Sequence, residues 1–364
     1  MHLHIIGGFL GSGKTTAIIG AAKYLAHQGL RVGVITNDQG RHLVDTAIMH
    51  AENLPAMEVT GGCFCCNFDD LNQRLAQLVD THHPQVIFAE SVGSCADVVA
   101  TVVKPLLKLE IGAVKPNSFS VFSDIRLLRR FLLGQEMPFS EDVNYIFVKQ
   151  IEEAGLLIIN KTDLLPAHEV KQVLKLAKTA FPEKPIFAQN SMLESEIIEW
   201  VEALQEDRFP LPGQSLGLDY VRYARGEGKM VWLDREYRLF ADEKEMPAIL
   251  SKILSNWQKV ITQQKWTSGH IKVIIRADDI SLKISLAQSG SSQSTKFSDQ
   301  IKNFKTDQVE ILMNVLIEGE LDRVSAILED SINFILGNYK AKLEVINRFD
   351  RRPGYPKPTY RILE

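Results

Sequence analysis

An apolar run, Leu3 to Ile6, leads directly into Gly8-Phe9-Leu10-Gly11-Ser12-Gly13-Lys14-Thr15, and a stretch with apolar residues at helical spacing, Lys14 to His27, follows. This succession of strand, glycine-rich loop and helix constrains the fold more than any other feature. The glycines let backbone N–H groups curl around phosphate oxygens, and the helix N-terminus adds a favourable dipole. Lys14 can neutralise those oxygens and the Thr15 hydroxyl can ligate magnesium. Gly8, Gly11, Ser12, Gly13, Lys14, Thr15 and Thr16 are therefore the candidate phosphate-binding residues of a nucleotide site.

At 364 residues the chain exceeds the roughly 250–300 residues that one core normally serves, so two domains are expected. In the first half, short apolar runs alternate with amphipathic stretches, the pattern of a mainly parallel sheet covered by helices. Strands are predicted near Leu3–Ile6, Val32–Thr36, Val86–Ala89, Ser118–Phe122, Leu156–Ile159 and Pro185–Phe187, with a helix over His168–Phe181. Phe209-Pro210-Leu211-Pro212-Gly213 then interrupts the pattern and marks the expected boundary. Beyond it come apolar runs at Met230–Leu233, Tyr237–Phe240, Ile271–Ile275, Leu282–Leu286, Val309–Ile317 and Leu343–Ile346, and helical stretches at Pro247–Thr262 and Leu321–Leu336. Ala277-Asp278-Asp279 is read as a hairpin turn, and the whole as two interleaved strand-helix-strand units. The expected fold class is thus α/β: a P-loop nucleotide-binding domain over 1–210, a smaller ferredoxin-like α/β domain over 218–350, and a Pro-rich tail over 351–364. Gln288–Gln300 reads as a mobile loop.

Two further strand ends carry chemistry. Asn160-Lys161-Thr162-Asp163 follows the Leu156–Ile159 run. The Asp163 carboxylate can accept from both the ring N–H and the exocyclic amine of guanine. Adenine would set an acceptor against an acceptor, at a cost of about 1–3 kcal/mol, so the expected nucleotide is GTP. Glu90, ending the Val86–Ala89 run, can hold magnesium or position water, and the Gly93 N–H can approach the terminal phosphate. Asp38, in Asn37-Asp38-Gln39-Gly40, offers another carboxylate on the same edge, although Asn-Asp-x-Gly is also an ordinary turn. Lys14, Asp38, Glu90 and Gly93 are the candidate catalytic residues.

Three of the four cysteines fall in Gly61-Gly62-Cys63-Phe64-Cys65-Cys66. In an extended segment Cys63 and Cys65 share a face, and Cys66 joins them only if the chain turns. Met1 to Gly7 lacks the features of a signal peptide and no run of about 18 apolar residues occurs, so the expected compartment is the cytoplasm. Thiols stay reduced there, and clustered cysteines read as soft-metal ligands that favour zinc, with cobalt(II), and after it iron(II) or copper(I), as the other ions such sulfurs would take. Small buried hydrophobes and a redox pair are the alternatives. Cys95, two residues past Gly93, is the candidate fourth thiolate, with plain burial its alternative. His2 and His4 share a strand face without a third ligand, and His270 reads as a packed or surface histidine. The formal charge of −4 supplies no general attraction to nucleic acid or anionic membrane.

The order Gly-Phe-Leu-Gly-Ser-Gly-Lys-Thr-Thr, Asn-Asp-x-Gly, Gly-Gly-Cys-Phe-Cys-Cys, Glu-Ser-x-Gly, Asn-Lys-Thr-Asp resembles the CobW-type GTPases, which are similar to the urease and hydrogenase nickel-insertion GTPases. Val121-Phe122-Ser123-Asp124 and Gln150-Ile151-Glu152-Glu153-Ala154 also look like that family. The resemblance covers about the first 200 residues. It implies a GTP-hydrolysing metallochaperone or metal-insertion factor, often dimeric, that uses magnesium and delivers a transition metal to a client metalloprotein. Two departures stand out: Asp38 where the family usually carries Glu, and no histidine-rich tract between the domains. Gly269-His270-Ile271-Lys272 is similar to variants associated with corrinoid methyltransferase systems, so an activator of such a system is one alternative. A GTP-regulated redox or protein-binding switch is the other.

Overall fold

The structure, a computed structural model, describes residues 1–37, 49, 53–59, 62–109, 114–206, 208–209, 211–264, 266–277, 280–286 and 300–364. Two compact units divide the described residues: those within 1–37, 49–226 and 355–364 form the first, and those within 227–354 the second.

The first unit is built on seven strands, β1 (His2–Gly8), β2 (Val32–Asn37), β3 (Ala56–Val59), β4 (Val86–Glu90), β5 (Pro116–Asp124), β6 (Leu156–Asn160) and β7 (Ile186–Gln189), in the order β3-β2-β4-β1-β5-β6-β7. Every pairing in this sheet is parallel. Parallel strands need crossover connections, and the helices that supply them cover both faces and leave most residues of β1, β2, β4, β5 and β6 buried. On one face α1 (Lys14–His27) packs with α7 (Glu194–Gln205), burying Ile6, Ile18, Phe88, Phe122, Ile158 and Trp200 together. Trp200 lies edge-on to Phe122 at 5.2 Å, and truncating such a fully buried indole costs about 3–5 kcal/mol. Also in this unit are α2 (Phe68–His82), a π-helical turn (Val99–Val103) running into α3 (Lys104–Lys108), α4 (Ile125–Leu132), α5 (Glu141–Glu153) and α6 (Ala167–Ala180).

Each strand predicted in this unit is present, most of them extended by a residue or more, while the one read at Pro185–Phe187 begins a residue later and runs to Gln189. The sequence reading missed β3, whose four residues are mostly half-buried and do not alternate. The boundary also moves. Residues after Phe209–Gly213 still belong to the first unit, up to Gly226, because Tyr145 Oη accepts from Asp219 N at 2.8 Å and Tyr223 Oη accepts from Ala96 N at 3.2 Å. These tyrosines hold the start of α8 (Tyr220–Lys229) on the first unit. The stretch read as a tail is likewise part of the first unit from Tyr355 onward.

The second unit is a five-stranded antiparallel sheet in the order β10-β9-β11-β8-β12, from β8 (Met230–Phe240), β9 (Thr267–Ala277), β10 (Ile280–Ser285), β11 (Gln308–Glu318) and β12 (Lys342–Arg351). With α9 (Met246–Gln263) after β8 and α10 (Leu321–Leu336) after β11, removal of edge strand β10 leaves the ferredoxin-like arrangement. The hairpin is present, Ile280 pairing with Ala277; its turn residues 278–279 and most of the 288–300 loop lie outside the described residues. The two runs read around Asp234-Arg235-Glu236 are one strand. Its charges are tolerated because Asn314 donates to Asp234 at 2.6 Å and Arg235 donates to Ser325 Oγ at 2.7 Å while pairing with Asp350.

Candidate functional site

Six of the seven parallel strands end on a site residue: Gly8, Asn37, Glu90, Asp124, Asn160 and Gln189 are the last residues of β1, β2, β4, β5, β6 and β7. The carboxyl edge of an open parallel sheet is where ligands bind, since loops there diverge and helix N-termini point inward. At Gly13 the phosphate loop turns through φ 93°, and a Cβ there would stand 2.3 Å from Asn160 Nδ2. Glycine is required on both counts. Asn160 Nδ2 donates to Ser12 O at 2.7 Å, tying the base-side strand to the loop. Lys14 Nζ lies against the loop, donating to Gly8 O at 2.8 Å and Phe9 O at 3.4 Å.

Asn160 is in turn oriented by Ser191, whose backbone N–H and hydroxyl both donate to Asn160 Oδ1, at 3.1 and 2.8 Å. Gln189 Nε2 donates to Ser191 Oγ at 2.8 Å. Lys161 adopts φ 65°, and its ammonium pairs with Asp124 Oδ2 at 3.1 Å. Asp124 also caps α4 through Arg126 N and binds the Arg126 guanidinium at 2.7 Å. Burial opposes ionisation of Asp124, but the Arg126 hydrogen bonds and the Lys161 charge outweigh it and hold the carboxyl below its usual range. This network leaves Asp163 exposed on the rim, where its carboxylate can meet a base.

Thr15 Oγ1 donates to Glu90 Oε1 at 3.0 Å, with both residues buried. A hydroxyl and a carboxylate oxygen converging beside a phosphate loop are the hard donors that magnesium prefers. Three residues on, Gly93 packs so closely on the loop that a Cβ would lie 2.6 Å from Leu10 Cδ2 and 3.1 Å from the Leu10 backbone. Gln150, buried on α5, donates through one amide to two carbonyls of this segment, Gly93 O at 3.0 Å and Cys95 O at 2.9 Å.

Cys95 brings the segment to the other cysteines, its Sγ 3.9 Å from that of Cys65. The turn needed to recruit Cys66 is made by Cys66 N and Asn67 N, both donating to Cys63 O at 3.0 Å. As a result the sulfur of Cys63 is 3.5 Å from that of Cys66 and 2.7 Å from that of Cys65, and Cys65 and Cys66 are 3.8 Å apart. A tetrahedral ion with metal–sulfur bonds of about 2.3 Å holds its ligands roughly 3.8 Å apart. Three of these four spacings suit such an ion, and the fourth, the Cys63–Cys65 pair, has to open by about 1 Å. Hydrogen bonds from Cys63, Cys66 and Cys95, then burial, push the Cys65 thiol well up; the Cys63 hydrogen bond, foremost, raises Cys66 to about 11. An incoming cation therefore displaces protons as it binds.

The structure thus gathers Gly8, Gly11, Ser12, Gly13, Lys14, Thr15, Thr16, Glu90, Gly93, Asn160, Lys161 and Asp163 on one sheet edge, and brings the ligand atoms of Cys63, Cys65 and Cys66 within 4.8 Å of one another, with Cys95 Sγ 3.9 Å from that of Cys65. Asp38 and Gly61 lie outside the described residues. Sequence reasoning gave no role to Asn37. Its Nδ2 donates to Val59 O at 3.1 Å and Gly62 O at 2.8 Å, and its Oδ1 accepts from Phe64 N at 2.9 Å, fixing the cysteine loop to β2. Nor did it assign Ser191, while Asp124 and Gln150 were marked only through the resemblance. His270 lies in the second unit against Asn314 and Trp232, and His4 is buried with Nδ1 2.9 Å from Ser118 Oγ. Among the described residues no helix is long and apolar enough to cross a membrane.

Residues 2–188 match the family described as CobW/HypB/UreG, nucleotide-binding domain. The chain is 27% identical over 218 residues to the zinc chaperone CobW of a Sinorhizobium species, covering 53% of this chain and 60% of that relative. It is 26% identical over 213 residues to the urease accessory protein UreG of Aliarcobacter butzleri, covering 55% of this chain and 96% of that one. Against the zinc chaperone YeiR of Escherichia coli it is 28% identical over 164 residues, spanning 46% of that relative's length. Among solved structures, HypB from Helicobacter pylori in complex with nickel is 18% identical, with a TM-score of 0.42 over 59% of this chain and 92% of that one. The chain belongs to the CobW/HypB/UreG family, whose nucleotide-binding domain it carries.

Proposed function

We propose that this member of the CobW/HypB/UreG family is a GTP-hydrolysing metal carrier, in which the state of the nucleotide sets the affinity of a sulfur site made by Cys63, Cys65, Cys66 and Cys95. The observation that carries the reading is the single short segment Gly93–Cys95. One end packs on Leu10 of the phosphate loop, the other places a sulfur 3.9 Å from Cys65, and Gln150 holds both carbonyls. A displacement at either end is transmitted to the other, because a three-residue segment with a shared buried anchor has little freedom to absorb it.

In this reading Asp163 selects guanine, Asn160 and Lys161 shape its pocket, and Gly8 through Thr16 receive the phosphates. Thr15 and Glu90 fit magnesium, which when bound neutralises charge on the β and γ oxygens. Glu90 and Asp38 also serve to orient the attacking water. Gly93 responds to the terminal phosphate, so that hydrolysis shifts the Cys95 sulfur and loosens the cage. Intrinsic turnover is slow, and a client or the second subunit of a homodimer completes the site. The cargo is zinc or cobalt(II), passed to a client metalloprotein in the reducing cytoplasm. A useful release step needs a coupling of only about 1–3 kcal/mol, or roughly 5- to 150-fold in affinity.

The test is zinc titration with and without a nonhydrolysable GTP analogue, on the parent protein and on Cys65→Ala. The analogue should tighten zinc binding at least 5-fold and the substitution should abolish it. Equal affinities with and without analogue would sink the coupling. The 2.7 Å approach of Cys63 and Cys65 favours one second reading, a thiol redox switch. It predicts loss of two free thiols under mild oxidant and no nucleotide-dependent metal uptake.

A further inference from the structure

Three of the four sulfurs belong to residues at most 8% exposed, so a carrier that must surrender its cargo needs a wall that can move. Residues 355–364 supply one. They belong to the first unit, form neither helix nor strand, and cross the cysteine turn. Thr359 N donates to Cys65 O at 2.8 Å and Thr359 Oγ1 donates to Cys66 O at 3.1 Å, while the backbone of Lys357 hydrogen-bonds Cys66 itself. Tyr360 meets Phe68, at the start of α2, edge-on at 5.2 Å. Ile362 N donates to Ala100 O at 2.9 Å and Ser215 Oγ donates to Ile362 O at 2.8 Å. From Pro356 to Leu363 burial alternates, the even-numbered residues buried or half-buried and the odd-numbered exposed, although the odd-numbered Thr359 and Arg361 still reach the surface beneath with their side-chain polar atoms.

The strip is fastened at Asp97, two residues beyond Cys95. This buried aspartate has φ 66°, a left-handed backbone that few side chains adopt. Its Oδ2 accepts from Arg361 Nε and from Tyr220 Oη, both at 2.7 Å, and its Oδ1 has no hydrogen-bond partner among the described residues. The Arg361 guanidinium lies 4.7 Å from the Tyr220 ring centroid. A buried carboxylate whose charge is matched by one arginine on the strip binds it as a latch, since removal of that arginine leaves the charge uncompensated.

We propose that residues 355–364 are a removable wall of the thiol site, latched by Arg361 on Asp97, and that metal enters or leaves when the wall lifts. The cargo in this statement rests on the metal-carrier reading above; the wall does not. Thr359 and Arg361 are positioning residues, acting on the sulfurs through the cysteine turn and Asp97.

The experiment compares the parent protein, Arg361→Gln, a deletion of residues 355–364, and Lys342→Gln as a surface control in the second unit. Two rates are read: alkylation of Cys65 and Cys66 by iodoacetamide in metal-free protein, followed by mass spectrometry, and zinc loss to excess chelator. Local opening governs both. Arg361→Gln and the deletion should each accelerate both rates about tenfold or more, while the control leaves both unchanged. If the deletion variant fails to fold, Arg361→Gln, whose side chain is 29% exposed, decides alone. Unchanged alkylation in Arg361→Gln would overturn the proposal. If no variant binds zinc, the carrier reading fails, and the alkylation rates still decide whether the wall exists.

Discussion

Gln150→Met is the most informative single substitution, because it removes the amide that grips both ends of the Gly93–Cys95 segment while keeping the side chain's length. The donor lost serves two carbonyls, at 3.0 and 2.9 Å, from a residue 1% exposed, so water does not readily replace it. Each abandoned carbonyl costs about 1–3 kcal/mol. Against this, Gln150 Oε1 is buried with no hydrogen-bond partner among the described residues, and methionine relieves that penalty of about 1–2 kcal/mol. The net expectation is a loss of roughly 2–3 kcal/mol, which for a unit of this size lowers its thermal midpoint by about 5–10 °C. Calorimetry reads the shift. The functional readout is the ratio of zinc affinities with and without a nonhydrolysable GTP analogue, which should fall below about 3-fold while each ligand still binds alone. A destabilised variant that keeps the full ratio would refute Gln150 as the link between phosphate loop and sulfurs. An undestabilised one would refute the hydrogen bonding itself.

Other consequences are as direct. Asn37→Ala removes three hydrogen bonds that fix the cysteine loop; zinc affinity should drop about 10- to 100-fold, measured by competition with a chromophoric chelator, with GTP affinity little changed. Asp163→Asn replaces an acceptor by a donor, so GTP should bind about 100-fold more weakly and xanthosine triphosphate better than GTP in direct titration. Gly93→Ala drives a Cβ to 3.1 Å from the Leu10 backbone and should weaken binding of the triphosphate more than of the diphosphate in the same assay. Burial first, then the neighbouring His2, lowers the His4 pKa from 6.5 to about 3. The unfolded chain therefore takes up a proton that the folded one refuses. Stability is complete above about pH 6.5 and declines as pH falls toward 3, by about 2 kcal/mol at pH 5. Urea unfolding of the parent against His4→Gln, in which this dependence should disappear, checks the sign and size.

Where a short segment determines its own conformation, the sequence was readable. The helix boundaries Lys14–His27 and Leu321–Leu336 coincide with those observed, because apolar spacing and glycine punctuation act within a few residues. The ferredoxin-like order of the second unit followed from element sequence alone, since connection rules leave few topologies. Asp234-Arg235-Glu236 broke one strand into two on paper because charge normally marks a loop. Its burial depends on Asn314, Ser325 and Asp350, partners 80, 90 and 115 residues away.

The site divides in the same way. By itself the sequence determined the glycine-rich loop Gly8–Thr15, the Asn160–Asp163 segment at a strand end and the clustering of Cys63, Cys65 and Cys66, each a contiguous pattern legible within a few residues. Only the tertiary structure decided that Cys95 reaches Cys65, that Gln150 and Asn37 hold the two loops, and that residues 355–364 lie across the sulfurs. Those contacts join strand ends and segments up to 294 positions apart (Cys65 to Thr359), and proximity at the edge of a parallel sheet is set by strand order, which no local stretch of chain encodes.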